Sequence, residues 1–257
     1  MLLAIDVGNT ETKLGCFSPS GEVRHMWRVT TELRRTADEY GVFFTQLFAT
    51  QGLDHRAIDA VAIASVVPNL DRILESACER FFGATPMFLK AHKQTLMPVR
   101  TDRPSEVGAD LVAAAIGGRA RYGAPLIVIS YGTATVFMAI SQAGEYLGVA
   151  IAPGINTSID ALVGNTAKLP QIALEAPERA IGRNTIEALQ AGIVYGFVGQ
   201  TEALVGRMRE ELGAHARVVA TGGLAEVIAK HSAQIELVDP HLSMIGLRLF
   251  HESVAVL

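Results

Sequence analysis

The sequence predicts an α/β chain built twice over, each half a mixed β-sheet flanked by helices. Three observations carry this. The chain opens on a strand–turn–strand pattern, LLAIDVGNTETKLGCF over residues 2–17. The pattern returns 124 residues later as LIVISYGTATVFMAISQAGE, residues 126–145. After each copy, short buried strands alternate with longer stretches of helical spacing. In the repeat Leu2 falls on Leu126, Ile5 on Ile129, Asp6 on Ser130 and Gly8 on Gly132, while Gly21-Glu22 meets Gly144-Glu145 after a one-residue deletion. The expected division is 1–120 and 121–257. A chance match of two common strand–turn patterns is the alternative to duplication.

In the first half, residues 2–5 are apolar enough for a buried strand, and Asp6 stands at its end. Gly8-Asn9-Thr10 supplies a turn, and a second strand runs through Leu14 and Cys16 to Pro19-Ser20-Gly21. Residues 23–29 read as a third strand. Tyr40, Phe43, Phe44, Leu47 and Phe48 fall at helical spacing within 37–51, with Asp38 and Glu39 in the first turn, where acids meet the positive end of the helix. A buried strand over 59–67 ends at Pro68-Asn69, followed by a helix over 70–82 and a short strand over 86–89. Pro104-Ser105 then opens a helix with Glu106 in its first turn and Val107, Leu111, Ala114, Ala115 and Gly118 along one face.

The second half repeats the plan. After its hairpin, 147–152 is a strand ended by Pro153-Gly154, and 156–163 is a short helix capped by Asn156 or Thr157. A polar loop covers 164–183. A long helix, or two, spans 185–212, where Gly192, Gly196, Gly199 and Gly206 point to close helix contact, including contact with a second copy. Residues 217–220 form a strand ending in Thr221-Gly222-Gly223-Leu224; a last short strand runs over 237–240 and a terminal helix over 243–252.

Composition narrows the classes. The chain has 257 residues, 49% of them apolar, with glycine and proline scattered, so a sizeable core is expected. A net charge of −4 and no basic run beyond Arg34-Arg35 exclude a nucleic-acid surface. No apolar run reaches the roughly 18 residues of a membrane span, and a strand starting at Leu2 leaves no room for a charged leader. Cys16, Cys78 and the seven dispersed histidines lack metal-ligand spacing, so no protein-built metal site is expected. Reduced, buried thiols fit a cytoplasmic protein.

The turns carry the chemistry. Asp6 suits a hydrated cation, Asn9 and Thr10 suit phosphate oxygens, and Lys13 a further phosphate charge; Gly8 permits close backbone approach. An ordinary hairpin turn is the alternative. Neither a Walker loop nor G-x-G-x-x-G is present. Gly132-Thr133 forms the matching turn of the second half. Thr221-Gly222-Gly223 either admits an adenine or ribose or is a plain tight turn. Asp110 borders an apolar helix face; it either caps a kinked helix entry or acts as a general base whose pKa is raised by its neighbours.

Read together, IDVGNTETK, SVVP over 65–68, PSEVGAD over 104–110, YGTAT over 131–135, IAPGINTSIDAL over 151–162, GRNTIEALQAGIVYG over 182–196, VVATGGLAEVIA over 218–229 and the late DPHLSMIGLRL resemble the type III pantothenate kinases. That family sits within the actin-like and sugar-kinase superfamily, and the resemblance covers essentially the whole length. It implies two ribonuclease H-like domains of the actin-like ATPase fold, a homodimer, and a cytoplasmic enzyme that uses ATP with Mg²⁺ to phosphorylate pantothenate, the first step towards coenzyme A. On matching positions it implies that Asp6, Val7, Gly8, Asn9, Thr10, Lys13, Gly132, Thr133, Gly222 and Gly223 meet ATP and its metal. It implies that Gly108, Ala109, Asp110, Leu111 and Thr185 surround pantothenate, with Asp110 deprotonating the hydroxyl.

The sequence departs from the family pattern in a cluster. Ser130 replaces an aspartate that binds an activating K⁺ or NH₄⁺, and offers an oxygen without the charge; Leu111 replaces an arginine. Met138 replaces a further aspartate, Thr101 a tyrosine near the substrate, and Ile245 a late glutamate. Beside a working kinase, these changes allow an impaired homologue that binds nucleotide or pantothenate as a regulator or partner protein, or a kinase for another small hydroxylated molecule.

Overall fold

A computed structural model describes residues 1–166 and 169–255. The chain forms two compact units. The first contains β1 (Leu2–Val7), β2 (Glu11–Phe17), β3 (Val23–Thr30), α1 (Ala37–Thr50), β4 (Ala60–Ser65), α2 (Pro68–Phe82), β5 (Met87–Phe88) and the first part of α3 (Ala109–Tyr122). The second contains β6 (Leu126–Tyr131), β7 (Ala134–Ile140), β8 (Tyr146–Pro153), α4 (Ile155–Gly164), α5 (Thr185–Leu212), β9 (Arg217–Thr221), α6 (Ala225–Ala229) and β10 (Leu237–Val238). The boundary, Gly117 to Gly118, falls inside α3. The last helix, α7 (Leu242–Ala255), was expected with the second half but belongs to the first unit, where it packs on β1, β2 and β4.

The two sheets have one topology. The orders are β3-β2-β1-β4-β5 and β8-β7-β6-β9-β10, with the hairpin strands antiparallel and the last two strands of each parallel to the first. Even the irregularities correspond: the second strand slips register at Cys16/Phe17 in one sheet and at Ala139/Ile140 in the other. The one-residue deletion lies in the hairpin tip, since Val7 pairs with Thr12 around residues 8–11 whereas Tyr131 pairs with Thr135 around 132–134. Gly21 and Gly144 both have positive φ, 82° and 77°. Each lies against an arginine of its own unit, Arg248 and Arg119.

Local sequence explains most elements. Strand β1 is central in its sheet, and all six of its residues are buried. Helix α1 opens on a capping box in which Thr36 accepts from the Glu39 N–H and the Glu39 carboxylate accepts from the Thr36 N–H. Pro68, expected to stop β4, is the first residue of α2, where its missing N–H costs nothing. Gly83 ends that helix in the left-handed region, at φ 69°. Leu3, Ile5, Tyr40, Phe44, Phe48 and Leu70 anchor the first core; Ile127, Ile129, Phe137, Ile155 and Val205 anchor the second.

Three expectations need correction. Residues 104–106 make one 3₁₀ turn, Val107 is extended, and α3 starts only at Ala109, so Asp110 lies in its first turn rather than its second. Helix α4 is capped by Gly154 and not by a side chain of Asn156 or Thr157. Helix α5 is a single helix, and a Cβ at Gly192, Gly196, Gly199 or Gly206 would meet nothing within 4 Å in this chain. Of the expected loop over 164–183, Ala167 and Lys168 lie outside the described residues; the remainder beyond Gly164 carries no helix or strand.

The close helix contact occurs elsewhere. A Cβ on Gly246 of α7 would collide with the Ala113 carbonyl of α3, and one on Gly117 with the Leu242 carbonyl. The crossing therefore requires glycine on both helices. Gly246→Ala should lower stability by roughly 1–3 kcal/mol in denaturant unfolding, whereas Gly206→Ala, with open space around it, should gain up to about 1 kcal/mol. Equal stability of Gly246→Ala and the parent would contradict the crossing.

Candidate active site

In the first unit the hairpin register sets Asp6 directly opposite Lys13, so both side chains leave the same face of the sheet. Lys13 Nζ lies 4.0 Å from Asp6 Oδ2, and the Asp6 side chain is only 9% exposed. Between them the turn closes with the Gly8 N–H donating to Glu11 O at 3.0 Å. A Cβ at Gly8 would stand 2.9 Å from that oxygen, so the turn is too tight for a larger residue. Asn9 and Thr10 are exposed at the tip, while Val7 is buried in β1.

Asp110 joins this pair. The Leu111 N–H donates to Asp110 Oδ1 at 2.8 Å, and a Cβ on Gly108 would lie 2.5 Å from that same oxygen. Gly108 thus leaves the space that the carboxyl occupies. Burial pushes the Asp110 pKa up to about 6; the Asp6 charge adds to the rise, against the backbone N–H groups of Leu111 and Asp110 and the charge of Lys13. Two carboxylates are therefore coupled to one ammonium, a deficit of positive charge that a bound cation would offset. Ala109 is buried and Leu111 half-buried, bringing no charge.

In the second unit the equivalent turn is built differently. Ser130 sits between Val136 on β7 and Thr221 on β9, where the first unit has Asp6 beside Lys13. The carbonyl of Thr133 accepts from the Gly154 N–H at 3.1 Å and from the Thr157 hydroxyl at 2.8 Å. Gly154 must be glycine, because a Cβ there would strike the carbonyls of Gly132 and Thr133. Gly222, at φ 96°, packs on the backbone of Tyr131. The Tyr131 phenol meets Thr201 Oγ1 at 2.7 Å, and since Thr201 donates to Phe197 O, the phenol is the donor. These contacts bring Gly132, Thr133, Gly222 and Gly223 to one end of the second sheet.

The other expected residues are each described within their own unit. Thr185 is the exposed first residue of α5, whose cap Asn184 accepts from the Glu187 N–H at 2.9 Å. Met138 is fully buried in β7 opposite Val128 and lines core rather than a turn. Thr101 is half-buried with a hydroxyl that has no hydrogen-bond partner among the described residues, and Ile245 is half-buried on α7. Among the described residues no group of three or more His, Cys, Asp or Glu could hold a metal alone. Sequence reasoning missed Gly154 and Thr157; the signal was the Pro153-Gly154 stop itself.

A sequence model of the type III pantothenate kinase family matches residues 2–207. A curated type III pantothenate kinase of Myxococcus xanthus is 48% identical over 251 residues, covering 98% of each chain. That of Moorella thermoacetica is 48% identical over 252 residues, covering 98% of this chain and 99% of the relative. Among solved structures, a conserved putative Baf family transcriptional activator from Campylobacter jejuni aligns with TM-score 0.62 at 17% identity, covering 99% of this chain and 100% of that one. A putative 2-dehydro-3-deoxygalactonokinase from Sinorhizobium meliloti aligns with TM-score 0.62 at 14% identity, covering 100% and 98%. These structural likenesses speak to the fold alone, the mixed sheets flanked by helices described above.

The raised pKa of Asp110 has a thermodynamic consequence in the nucleotide- and metal-free protein. The folded chain holds this proton to about pH 6, whereas the unfolded chain releases it near 3.8. The folded state binds more protons across that window, so Asp110 lowers stability as pH rises and the cost is complete above about 6. Asp110→Asn should remove this contribution and stabilise the protein at pH 7 by on the order of 2 kcal/mol. Unchanged unfolding curves from pH 4 to 7 would contradict the burial of this carboxyl.

Proposed function

The chain belongs to the type III pantothenate kinase family, and from that premise we propose that it transfers the γ-phosphate of ATP to the primary hydroxyl of pantothenate, opening coenzyme A synthesis. The observation that carries this reading is the group formed by Asp6, Lys13 and Asp110. Asp110 accepts the hydroxyl proton as the oxygen forms its bond to phosphorus and the bond to ADP breaks. A carboxyl titrating near 6 is an effective base at neutral pH and a good acceptor in an apolar surround. Lys13 and the Asn9 N–H offset phosphate charge; phosphoryl transfer depends mostly on such positioning and neutralisation.

Mg²⁺ fits the donor set. Asp6 would supply one carboxylate, and with no larger carboxylate cluster among the described residues the remaining ligands would be phosphate oxygens and water. When bound, the ion neutralises phosphate charge. From the second unit we assign Gly132 and Thr133 to phosphate, Gly222 and Gly223 to adenosine, and Thr185 to pantothenate. Gly108, Ala109 and Leu111 complete the pantothenate wall around Asp110. With Ser130 in the aspartate's place, dependence on K⁺ or NH₄⁺ is weak or absent. A homodimer is supported by the outward apolar residues Leu147, Val149 and Ile151 of the edge strand β8. A cytoplasmic setting fits two buried free thiols, and among the described residues no helix is long and apolar enough to cross a membrane.

One observation favours a second reading. Leu111 brings no cation beside Asp110, which suits a homologue that binds nucleotide without turnover. Purified protein with ATP, Mg²⁺ and pantothenate, with and without K⁺ or NH₄⁺, decides between them. The expected result is phosphopantothenate with little response to the monovalent ion and a loss of about 10²–10⁴-fold in kcat in Asp110→Asn. Nucleotide binding without product would establish the second reading instead. Sedimentation of the same preparation at twice the 27.4 kDa chain mass checks the dimer.

A further inference from the structure

The turn over residues 8–11 is held from behind by one residue. Thr31 follows β3 and is 8% exposed. Its backbone N–H donates to Thr10 O at 3.0 Å and its hydroxyl donates to Gly8 O at 2.7 Å. Its Oγ1 also lies 2.9 Å from Oγ1 of the buried Thr12. The Gly8 carbonyl can only accept, so the single Thr31 hydroxyl proton is committed there and Thr12 is the donor in the threonine pair. The hub is itself anchored. The Tyr40 phenol of α1 donates to Glu32 O at 2.7 Å and accepts from the Glu32 N–H at 3.3 Å. On the outer side Arg28 of β3 grips the Glu11 carboxylate at 2.8–3.0 Å.

This hub sets the direction of a peptide plane. The Gly8–Asn9 bond is trans, so its C=O and N–H point to opposite sides. Turning the Gly8 carbonyl onto Thr31 therefore aims the Asn9 N–H away from Thr31. We propose that Thr31 is a positioning residue for phosphate binding, its hydroxyl fixing the Gly8–Asn9 peptide so that the Asn9 N–H is presented to a phosphate oxygen before nucleotide arrives. The inference rests on the assignment of this turn to ATP. Donors already oriented need no reorganisation when charge arrives, which is where such a hydroxyl acts. With valine in its place, the Gly8 carbonyl and the Thr12 hydroxyl both lose a partner and the peptide is free to rotate.

The test compares the parent, Thr31→Val and Thr31→Ser. It measures titration with a non-hydrolysable ATP analogue and Mg²⁺, KM for ATP and for pantothenate, and the thermal midpoint. Thr31→Val should weaken analogue binding and raise KM for ATP by about tenfold while KM for pantothenate stays within about twofold, and Thr31→Ser should restore the parent values. Unchanged analogue binding in Thr31→Val overturns the proposal. So does an equal loss towards both substrates with a lowered thermal midpoint that serine does not rescue. If parent protein binds the analogue, Thr31→Val weakens that binding, and neither phosphorylates pantothenate, the positioning role stands and the pantothenate reading falls. A parent that binds no analogue overturns both.

Discussion

The pairing of β1 with β2 is the constraint from which the rest of the candidate site follows. It fixes a carboxylate on a fully buried central strand and sets a lysine opposite, yet at 4.0 Å the two make only a long ion pair. Asp110 then adds a second carboxylate to the same neighbourhood. A protein selected only for stability would not keep this arrangement, because burying charge without full compensation costs several kcal/mol in general. The excess negative charge makes sense where a cation and a polyphosphate arrive together. Glycines at 8 and 108 serve the same end, one tightening the turn and the other clearing room for the Asp110 carboxyl.

Duplication makes the contrast sharper. The two sheets share strand order, a register slip in the second strand and a positive-φ glycine packed on an arginine. What differs is the chemistry at one rung. Asp6 pairs with Lys13 in the first sheet, and the corresponding rung in the second is Ser130 with Val136. The backbone of the second turn is instead held by neutral groups, the Gly154 N–H and the Thr157 hydroxyl on the Thr133 carbonyl. One scaffold thus carries a charged turn and a neutral one, and the local charge at each follows from single residues rather than from the fold.

Much of this was legible in the sequence because it is local. Turn residues, strand alternation and the internal repeat identified both hairpins, the long α5 and the three glycine-hydroxyl turns. Family resemblance placed Asp110, which spacing alone left between a cap and a base; the structure gives that carboxyl a backbone bond from Leu111 and a raised pKa together. What escaped was non-local. Thr31 reaches Gly8 across 23 residues and Thr157 reaches Thr133 across 24, and neither leaves a periodic signal. The start of α3 was misjudged because Pro104 is a good helix opener, while the chain uses it for a single 3₁₀ turn and restarts after Gly108. The glycines of α5 drew attention by their number, but the crossing that forbids a side chain uses Gly117 and Gly246. Met138, which stands where the family pattern has an aspartate, is fully buried in mid-strand.

The electrostatic coupling of the three charged residues is open to direct observation. Carboxyl carbon shifts of Asp110, followed by NMR across the acidic and neutral range in metal-free protein and in Asp6→Asn, report that coupling without any assay of turnover. A midpoint near 6 in the parent, moving down when the neighbouring charge is removed, is the expected result. A midpoint in the ordinary carboxylate range, the same in both proteins, would contradict it.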